Sequence, residues 1–336
     1  MNHAPLHSYT RTLAANLPLA VAATSVLLVP ALYNGFPLVF PDTGAYFSVA
    51  WGSHWTLDRS GFYGFYFRSL SNLQPTLQLW VGIALQSAAT AVLILFVAQK
   101  LVQHFSRTLG LALVSVLAVF TSVAWHTSQL MPDAFSATTV LLVWLASTRQ
   151  LSAPGAPLLW FAAYLAGLTH STHVVLVAAT GGAAVFVQWW MHKNEWKTYA
   201  KRAAICAAVV AALVGTQLLA NGAFLKRWSA TPLGSMFLFA RLHEDGLVQP
   251  WLARNCPRGA TPNVCRLAPE FPRDSQKLLW GEESPFRYAI RESSDVEARE
   301  QFVRELQIAS IGSIRAQPVA FAASAVGAGA EQFFSF

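Results

Sequence analysis

Only four acidic side chains occur among the first 220 residues, namely Asp42, Asp58, Asp133 and Glu195, although the whole chain has 16. The surrounding sequence consists largely of long apolar runs. A carboxylate is costly near lipid, so each one in such a region is a functional-site hypothesis. Asp42 and Asp133 each follow a proline, and a carboxylate held in place can accept a proton from a reacting group. Both also fit the N-cap of a helix, where an aspartate binds free backbone N–H groups.

Histidines form a second group of candidates. His126 precedes Asp133, and His170 and His173 are spaced to lie on one face of a helix. The pair could bind a metal together with Asp42 or Asp133, bind an anionic phosphate, or form hydrogen bonds between helices. The sequence has no H-E-x-x-H pattern, which gives a zinc hydrolase little support. The sequence does not identify a cofactor, and a divalent cation such as Mg²⁺ or Mn²⁺ is one option.

Composition places these residues in a membrane protein. The chain of 336 residues is 54% hydrophobic and only 12% charged, with a mean hydropathy of +0.41. Soluble proteins carry about 25% charged residues. The net charge of +7 resides in basic residues between apolar runs, which argues against a nucleic-acid partner and for membrane lipid as the surroundings.

The apolar runs predict an all-α, polytopic helical membrane bundle over residues 1–220. A bilayer crossing needs about 17–25 apolar residues. We predict seven crossings, at 14–33, 77–98, 109–125, 134–149, 157–169, 174–191 and 203–220. The run 157–169 is short, so it could instead join 174–191 in one kinked helix. The first run is predicted to stay as an anchor rather than to be cleaved, and a long outer loop covers 35–76.

Basic residues indicate the orientation, because cytoplasmic loops are enriched in lysine and arginine. With a cytoplasmic N-terminus, the inside segments carry Arg11, Lys100, Arg107, Arg149, Lys193, Lys197, Lys201 and Arg202, whereas the short outside segments carry only Arg59 and Arg68. Asp42, Asp58, Asp133 and the three histidines then share the outer face. We predict an integral protein of the bacterial inner membrane with its site facing the periplasm.

Residues 221–336 form a polar, proline-rich segment, which this topology places outside the membrane. Cys256 and Cys265 are predicted to form a disulfide there, since disulfides persist in oxidising compartments. Two unpaired thiols are the alternative. The pattern from Ser294 onward predicts an amphipathic helix over 295–316. The apolar stretch 318–336 is either a final membrane-associated span or the beginning of one.

Three short motifs suggest a family. They are Phe40-Pro41-Asp42-Thr43-Gly44-Ala45-Tyr46, then Arg59-Ser60-Gly61-Phe62-Tyr63-Gly64, and Met131-Pro132-Asp133 ahead of a helix. An aspartate early in the first long outer loop of a polytopic protein resembles the GT-C superfamily of membrane glycosyltransferases. The resemblance covers about residues 14–220. It implies an enzyme that moves a sugar from a polyprenyl-phosphate-linked donor to a glycan, lipid or protein acceptor at the outer face.

The resemblance also implies roles for individual residues. Asp42 is the candidate base, and Asp133 would orient the acceptor or help to hold a cation. Arg59, His170 and His173 would neutralise the donor phosphate. The other residues predicted to bind substrate are Tyr46, Trp51, Tyr63, His126 and Arg241.

Other classes of function are open at this point. A transporter or flippase for a lipid or small anion would show ionisable residues in mid-span and internal repeats, whereas here those residues gather at one face and no repeat is visible. A non-catalytic membrane subunit would bind a partner through 221–336. A membrane acyltransferase would place its histidine deeper in the bundle.

Overall fold

The structure, a computed structural model, describes residues 6–52, 55–148, 155–191, 196–291 and 293–334. These residues are predominantly α-helical and contain no β-strand, which confirms the predicted all-α class. They include one isolated parallel β-bridge, between Leu38 and Gln129. The chain divides into two compact units, residues 1–230 and 231–336.

The first unit contains the long apolar helices. Its described helices are α1 (Leu6–Leu27), α2 (Val29–Asn34), α3 (Thr43–Gly52), α4 (Phe62–Arg68), α5 (Pro75–Leu101), α6 (Arg107–Phe120), α7 (Val123–Ser128), α8 (Ala134–Ser147), α9 (Ala156–Leu168), α10 (His173–Met191) and α11 (Trp196–Leu225).

Three of these helices, α5, α10 and α11, are long and apolar enough to cross a membrane. Shorter apolar helices occupy the other four predicted crossings, at 17–27, 107–120, 134–147 and 156–168. The length and composition of these helices therefore agree with a membrane protein. The number of crossings, their orientation and the host membrane stay predictions.

The chain between residues 157 and 191 forms two helices, not one kinked helix. The Thr169 hydroxyl donates to the carbonyl of Ala166 at 2.7 Å, and the Thr172 N–H donates to Nδ1 of His170 at 3.2 Å. Such local side-chain bonds compete with the helical ladder and end it. Both α9 and α10 then pack against α8 and α11.

The first loop contains α3 and α4, whose aromatic residues form a buried core. Tyr46, Tyr63 and Phe67 are almost fully buried and contact one another or Phe47 edge to face. Gly64 makes the close packing of α3 on α4 possible, because a Cβ there would meet the Tyr46 carbonyl oxygen at 2.6 Å. The loop is thus a packed layer that can hold side chains in fixed positions.

Among its described residues, the second unit contains four α-helices of 6–11 residues and two longer ones. They are α12 (Gly234–Glu244), α13 (Gln249–Asn255), α14 (Pro262–Leu267), α15 (Ser275–Trp280), α16 (Val296–Ala316) and α17 (Pro318–Phe334). The predicted disulfide between Cys256 and Cys265 is present. Asp295, not Ser294, caps α16, since its carboxylate accepts the N–H of Ala298 at 3.0 Å.

Candidate functional site

The β-bridge brings the two Pro-Asp segments together. The Leu130 N–H donates to the Leu38 carbonyl at 2.8 Å, and the Thr43 hydroxyl donates to the Leu130 carbonyl at 3.2 Å. Thr43 directly follows Asp42, and Leu130 lies three residues before Asp133. The segments that carry the two candidate catalytic carboxylates are therefore joined by hydrogen bonds.

An ion pair links Asp42 to the second motif of the first loop. Arg59 Nη2 lies 2.6 Å from Asp42 Oδ1, and Arg59 Nη1 lies 4.0 Å from Asp58 Oδ2. The Arg59 side chain is 12% exposed and that of Asp42 is 33% exposed. Burial lowers the pKa of Arg59. The hydrogen bond to Asp42 and the charge of Asp58 raise it by a larger amount, so the pKa of Arg59 lies above its ordinary value. Arg59 is therefore a fixed, partly desolvated positive charge.

Tyr46 adds a hydrogen-bonding group to this cluster. Its side chain is 1% exposed, and its hydroxyl has no hydrogen-bond partner among the described residues. Burial raises the pKa of Tyr46 well above its ordinary value, with Arg59 opposing and Asp133 adding to the shift. The phenol stays protonated and can donate to a bound molecule. A buried polar group without a partner costs about 1–3 kcal/mol, which such a molecule would offset.

Asp133 stands at the N-cap position of α8 but does not cap it. Its carboxylate accepts no hydrogen bond from the first turn of this fully described helix. By contrast, Asp274 and Asp295 do accept such bonds, at α15 and α16. The capping interpretation of Asp133 therefore does not hold in this structure, and its carboxylate is available for another role.

The two histidines of the α9–α10 turn differ in their surroundings. Both ring nitrogens of His173 are engaged, Nε2 with the Ser136 hydroxyl at 3.0 Å and Nδ1 with the Ala166 carbonyl at 3.1 Å. Among the described residues, His170 forms hydrogen bonds only through Nδ1, which accepts the Thr172 N–H, so a neutral ring carries its proton on Nε2. His173 therefore fits a structural role, while His170 keeps one nitrogen for a ligand.

His170 makes stability depend on pH. Burial lowers the pKa of His170 below 6.5, with Asp133 opposing and Arg59 reinforcing the shift. The unfolded chain then takes up the proton at a higher pH than the folded chain, so the free energy of unfolding falls as the pH drops below 6.5. We expect the thermal unfolding midpoint to fall between about pH 7.5 and about pH 5.5, and to fall less in His170→Gln. An equal fall in both proteins would contradict this assignment.

The remaining predicted site residues have other surroundings, although Tyr63 packs against Tyr46 of the cluster. Tyr63 is fully buried and its hydroxyl donates to Gln86 at 3.2 Å. Trp51 is exposed and donates to Gln78, and His126 is exposed on α7. Arg241 belongs to the second unit, where it pairs with Glu244 and Asp245 at 3.2 Å and 2.9 Å.

Sequence reasoning missed the residues that fix the first loop. The Ser60 hydroxyl donates to the Leu168 carbonyl at 2.8 Å, and Trp55 Nε1 donates to Asn221 Oδ1 at 2.8 Å. Asn221 also donates to the carbonyl of Ser229 at 2.7 Å. These bonds join the loop to the ends of α9 and α11. The amide of Asn221, near the end of an apolar helix, is the sequence signal that could have revealed these bonds, because a buried amide needs a hydrogen-bond partner.

Within the described residues, no group of three or more His, Cys, Asp or Glu side chains is arranged to hold a metal ion. Asp42 Oδ1 pairs instead with the guanidinium of Arg59. Comparison with known protein families, with curated proteins and with solved structures finds no match to this chain. The functional argument therefore depends on the motifs and on the geometry of the site.

Proposed function

We propose that this chain is a GT-C-type membrane glycosyltransferase that uses a polyprenyl-phosphate-linked sugar at the outer face of the membrane. The observation that supports this most strongly is the cluster of Asp42, Arg59, Tyr46 and Asp133. It combines two carboxylates, a fixed positive charge and a buried donor that has no partner among the described residues. An acceptor hydroxyl and a phosphate leaving group require this combination.

The proposed reaction exchanges one bond at the sugar. The acceptor oxygen forms a bond to the anomeric carbon, and the bond from that carbon to the phosphate oxygen breaks. Asp42 accepts the proton of the acceptor hydroxyl on the carboxylate oxygen that does not pair with Arg59. Arg59 and the Nε2–H of His170 stabilise the charge that develops on the departing polyprenyl phosphate. No step requires a metal ion, although one could assist.

Asp133 is proposed to orient the acceptor. Its carboxylate does not cap α8, so it can accept a hydrogen bond from a second hydroxyl of the acceptor. The buried Tyr46 hydroxyl would donate to an oxygen of the sugar. Ser136, one turn further along α8, holds His173 and thereby supports the turn that carries His170.

The variant Asp133→Asn tests the proposal in cells. Asn keeps the size and the capping ability of Asp but removes its charge. In a strain that lacks the protein, we expect Asp133→Asn to insert normally and to restore less than about a tenth of the surface glycan, because an orientation effect of this kind is worth about 1.4 kcal/mol or more. Glycan profiling, with membrane levels measured by immunoblot, provides the readout.

Asp295→Asn is the matched control, since Asp295 is a genuine N-cap and Asn preserves capping. It should restore the full glycan profile. Full restoration by Asp133→Asn as well would argue against chemistry at this residue. It would favour the non-catalytic subunit or the transporter.

A further inference from the structure

An apolar cleft of about 880 Å³ lies between α10 and α11, away from the candidate site. Small residues such as Gly182, Ala203 and Ala207 line it, and aromatic residues such as Trp189 and Trp196 form its walls. These residues lie toward the C-terminal end of α10 and the N-terminal end of α11. The candidate site lies at the opposite ends of the same helices, where His173 begins α10 and Asn221 anchors the first loop.

Tyr199 gives the cleft a polar feature. Its side chain lines the cleft and is 3% exposed, and its hydroxyl has no hydrogen-bond partner among the described residues. A buried hydroxyl is normally hydrogen-bonded, because leaving it unpaired in apolar surroundings is costly. An occupant that carries an oxygen acceptor in addition to apolar groups would satisfy this hydroxyl.

A positive charge stands beside the cleft. The ammonium group of Lys197 lies 5.9 Å from the centre of the Trp196 ring, which lines the cleft. Lys201 follows one turn later on α11 and is also exposed. Arg202 donates to the carbonyl of Ser147 at 3.0 Å, so its charge supports the packing of α11 against the end of α8. An occupant with a negative headgroup is thus favoured over a neutral one.

We propose that this cleft binds one anionic phospholipid. An acyl chain would fill the space beside Gly182 and Ala203, the Tyr199 hydroxyl would donate to a glycerol ester oxygen, and the phosphate would lie near Lys197. The predicted orientation places this end of the helices in the cytoplasmic leaflet, where anionic lipids are attracted to basic residues. The proposal requires the chain to cross a membrane but does not depend on glycosyl transfer.

Gly182→Leu tests the cleft by filling it. A Cβ at Gly182 meets no atom of the described residues within 4 Å, so the larger side chain would enter the cleft rather than the protein core. Full-length protein would be purified with dioleoyl phosphatidylglycerol and examined by native mass spectrometry. We expect one retained phosphatidylglycerol in the wild type and about tenfold less in Gly182→Leu. Gly215→Leu is the matched control, because Gly215 lies on α11 outside the cleft and is equally open.

Tyr199→Phe and Lys197→Gln test the two polar contacts. We expect Tyr199→Phe to retain about three- to tenfold less phosphatidylglycerol, the value of one hydrogen bond. Lys197→Gln should lose the preference for phosphatidylglycerol over phosphatidylcholine. Its matched control is Lys100→Gln, because Lys100 lies 5.5 Å from the ring of Phe96, outside this cleft.

Several outcomes would overturn the proposal. One is equal lipid retention by the wild type and Gly182→Leu, and another is equal retention of phosphatidylglycerol and phosphatidylcholine by the wild type. A third is a dimer mass that Gly182→Leu abolishes, which would make the cleft an interface with a second copy. A fourth is unchanged lipid retention in Tyr199→Phe, which would mean that the Tyr199 hydroxyl does not bind the lipid.

Discussion

Asp42→Asn is expected to lower the rate of sugar transfer by about 10²–10⁴-fold, because general-base catalysis contributes about that much. The amide keeps the shape of the carboxylate but cannot accept the proton. Purified protein, a polyprenyl-phosphate sugar and an acceptor would be assayed for product under single-turnover conditions, which separate the chemical step from binding. Donor binding, measured in parallel, should change much less than the rate.

The loss of the ion pair needs its own control, because Asp42→Asn leaves the partly buried Arg59 with one fewer negative neighbour. Removing one partner of such a pair is destabilising in itself. The double variant Asp42→Asn/Arg59→Gln removes both charges and should recover any lost protein level. If that double variant also recovered activity, Asp42 would act only by neutralising Arg59. The assignments of Asp42 as the base and of Arg59 as a stabiliser of the departing phosphate would then both be wrong.

Hydropathy predicted the long helices of the first unit well but not their ends. The run predicted at 77–98 corresponds to α5, Pro75–Leu101. The run predicted at 109–125, however, ends at Phe120, because the Thr121 hydroxyl bonds back to the Leu117 carbonyl and then accepts the Val123 N–H. Such a break depends on side-chain hydrogen bonds. Neighbouring residues remain apolar, so hydropathy gives no sign of it.

Basic and proline residues explain two further differences. The last run was predicted from residue 203, but α11 begins at Trp196, since lysine and arginine favour helices while lowering hydropathy. The first run divides after Leu27, where Pro30 lies in the first turn of α2 and cannot donate to a continuous helical ladder. The early start of α11 and the break at Pro30 both follow from residue type. A hydropathy average over many residues does not show either of them.

The geometry of the candidate site depends on long-range contacts that no local pattern encodes. Asp42 and Asp133 could be proposed individually, because each is an acidic residue beside an apolar helix. The bridge at Leu38 joins the segments of these two residues, and Asp42 pairs with Arg59. Neither contact can be read from the sequence, because both form only in the folded chain. The same holds for Tyr46, whose buried hydroxyl follows from the packing of α3 on α4.

Glu305→Ala is expected to produce the largest loss of stability in the second unit. Glu305 is 5% exposed on α16, and its Oε2 accepts the N–H groups of Asn263 and Val264 at 2.8 Å and 3.0 Å. These groups belong to the first turn of α14, whose N-cap residue, Thr261, makes no side-chain capping bond. Glu305 thus supplies the cap from another helix. Alanine would leave these buried donors unpaired at a cost of about 3 kcal/mol or more.

Glu305→Gln provides a graded comparison. Its single carbonyl oxygen can still accept the two backbone N–H groups of α14, while its amide would face the Asn263 side chain, which now donates to Oε1 at 2.8 Å. A turn of the Asn263 amide would restore that contact, so the expected cost is only about 1 kcal/mol. Glu300→Gln, on the same helix, removes a surface pair with Arg304 and should cost less than about 0.5 kcal/mol.

Amide hydrogen exchange of the full-length protein can resolve this order, because a local cap controls the opening of the helix that it closes. Peptides that cover 260–268 should exchange fastest in Glu305→Ala, at an intermediate rate in Glu305→Gln and at the wild-type rate in Glu300→Gln. The disulfide at Cys265 stays intact in all three variants, so it cannot account for differences among them. Equal exchange in Glu305→Ala and Glu300→Gln would mean that α14 is held by its apolar contacts alone, with Glu305 adding nothing.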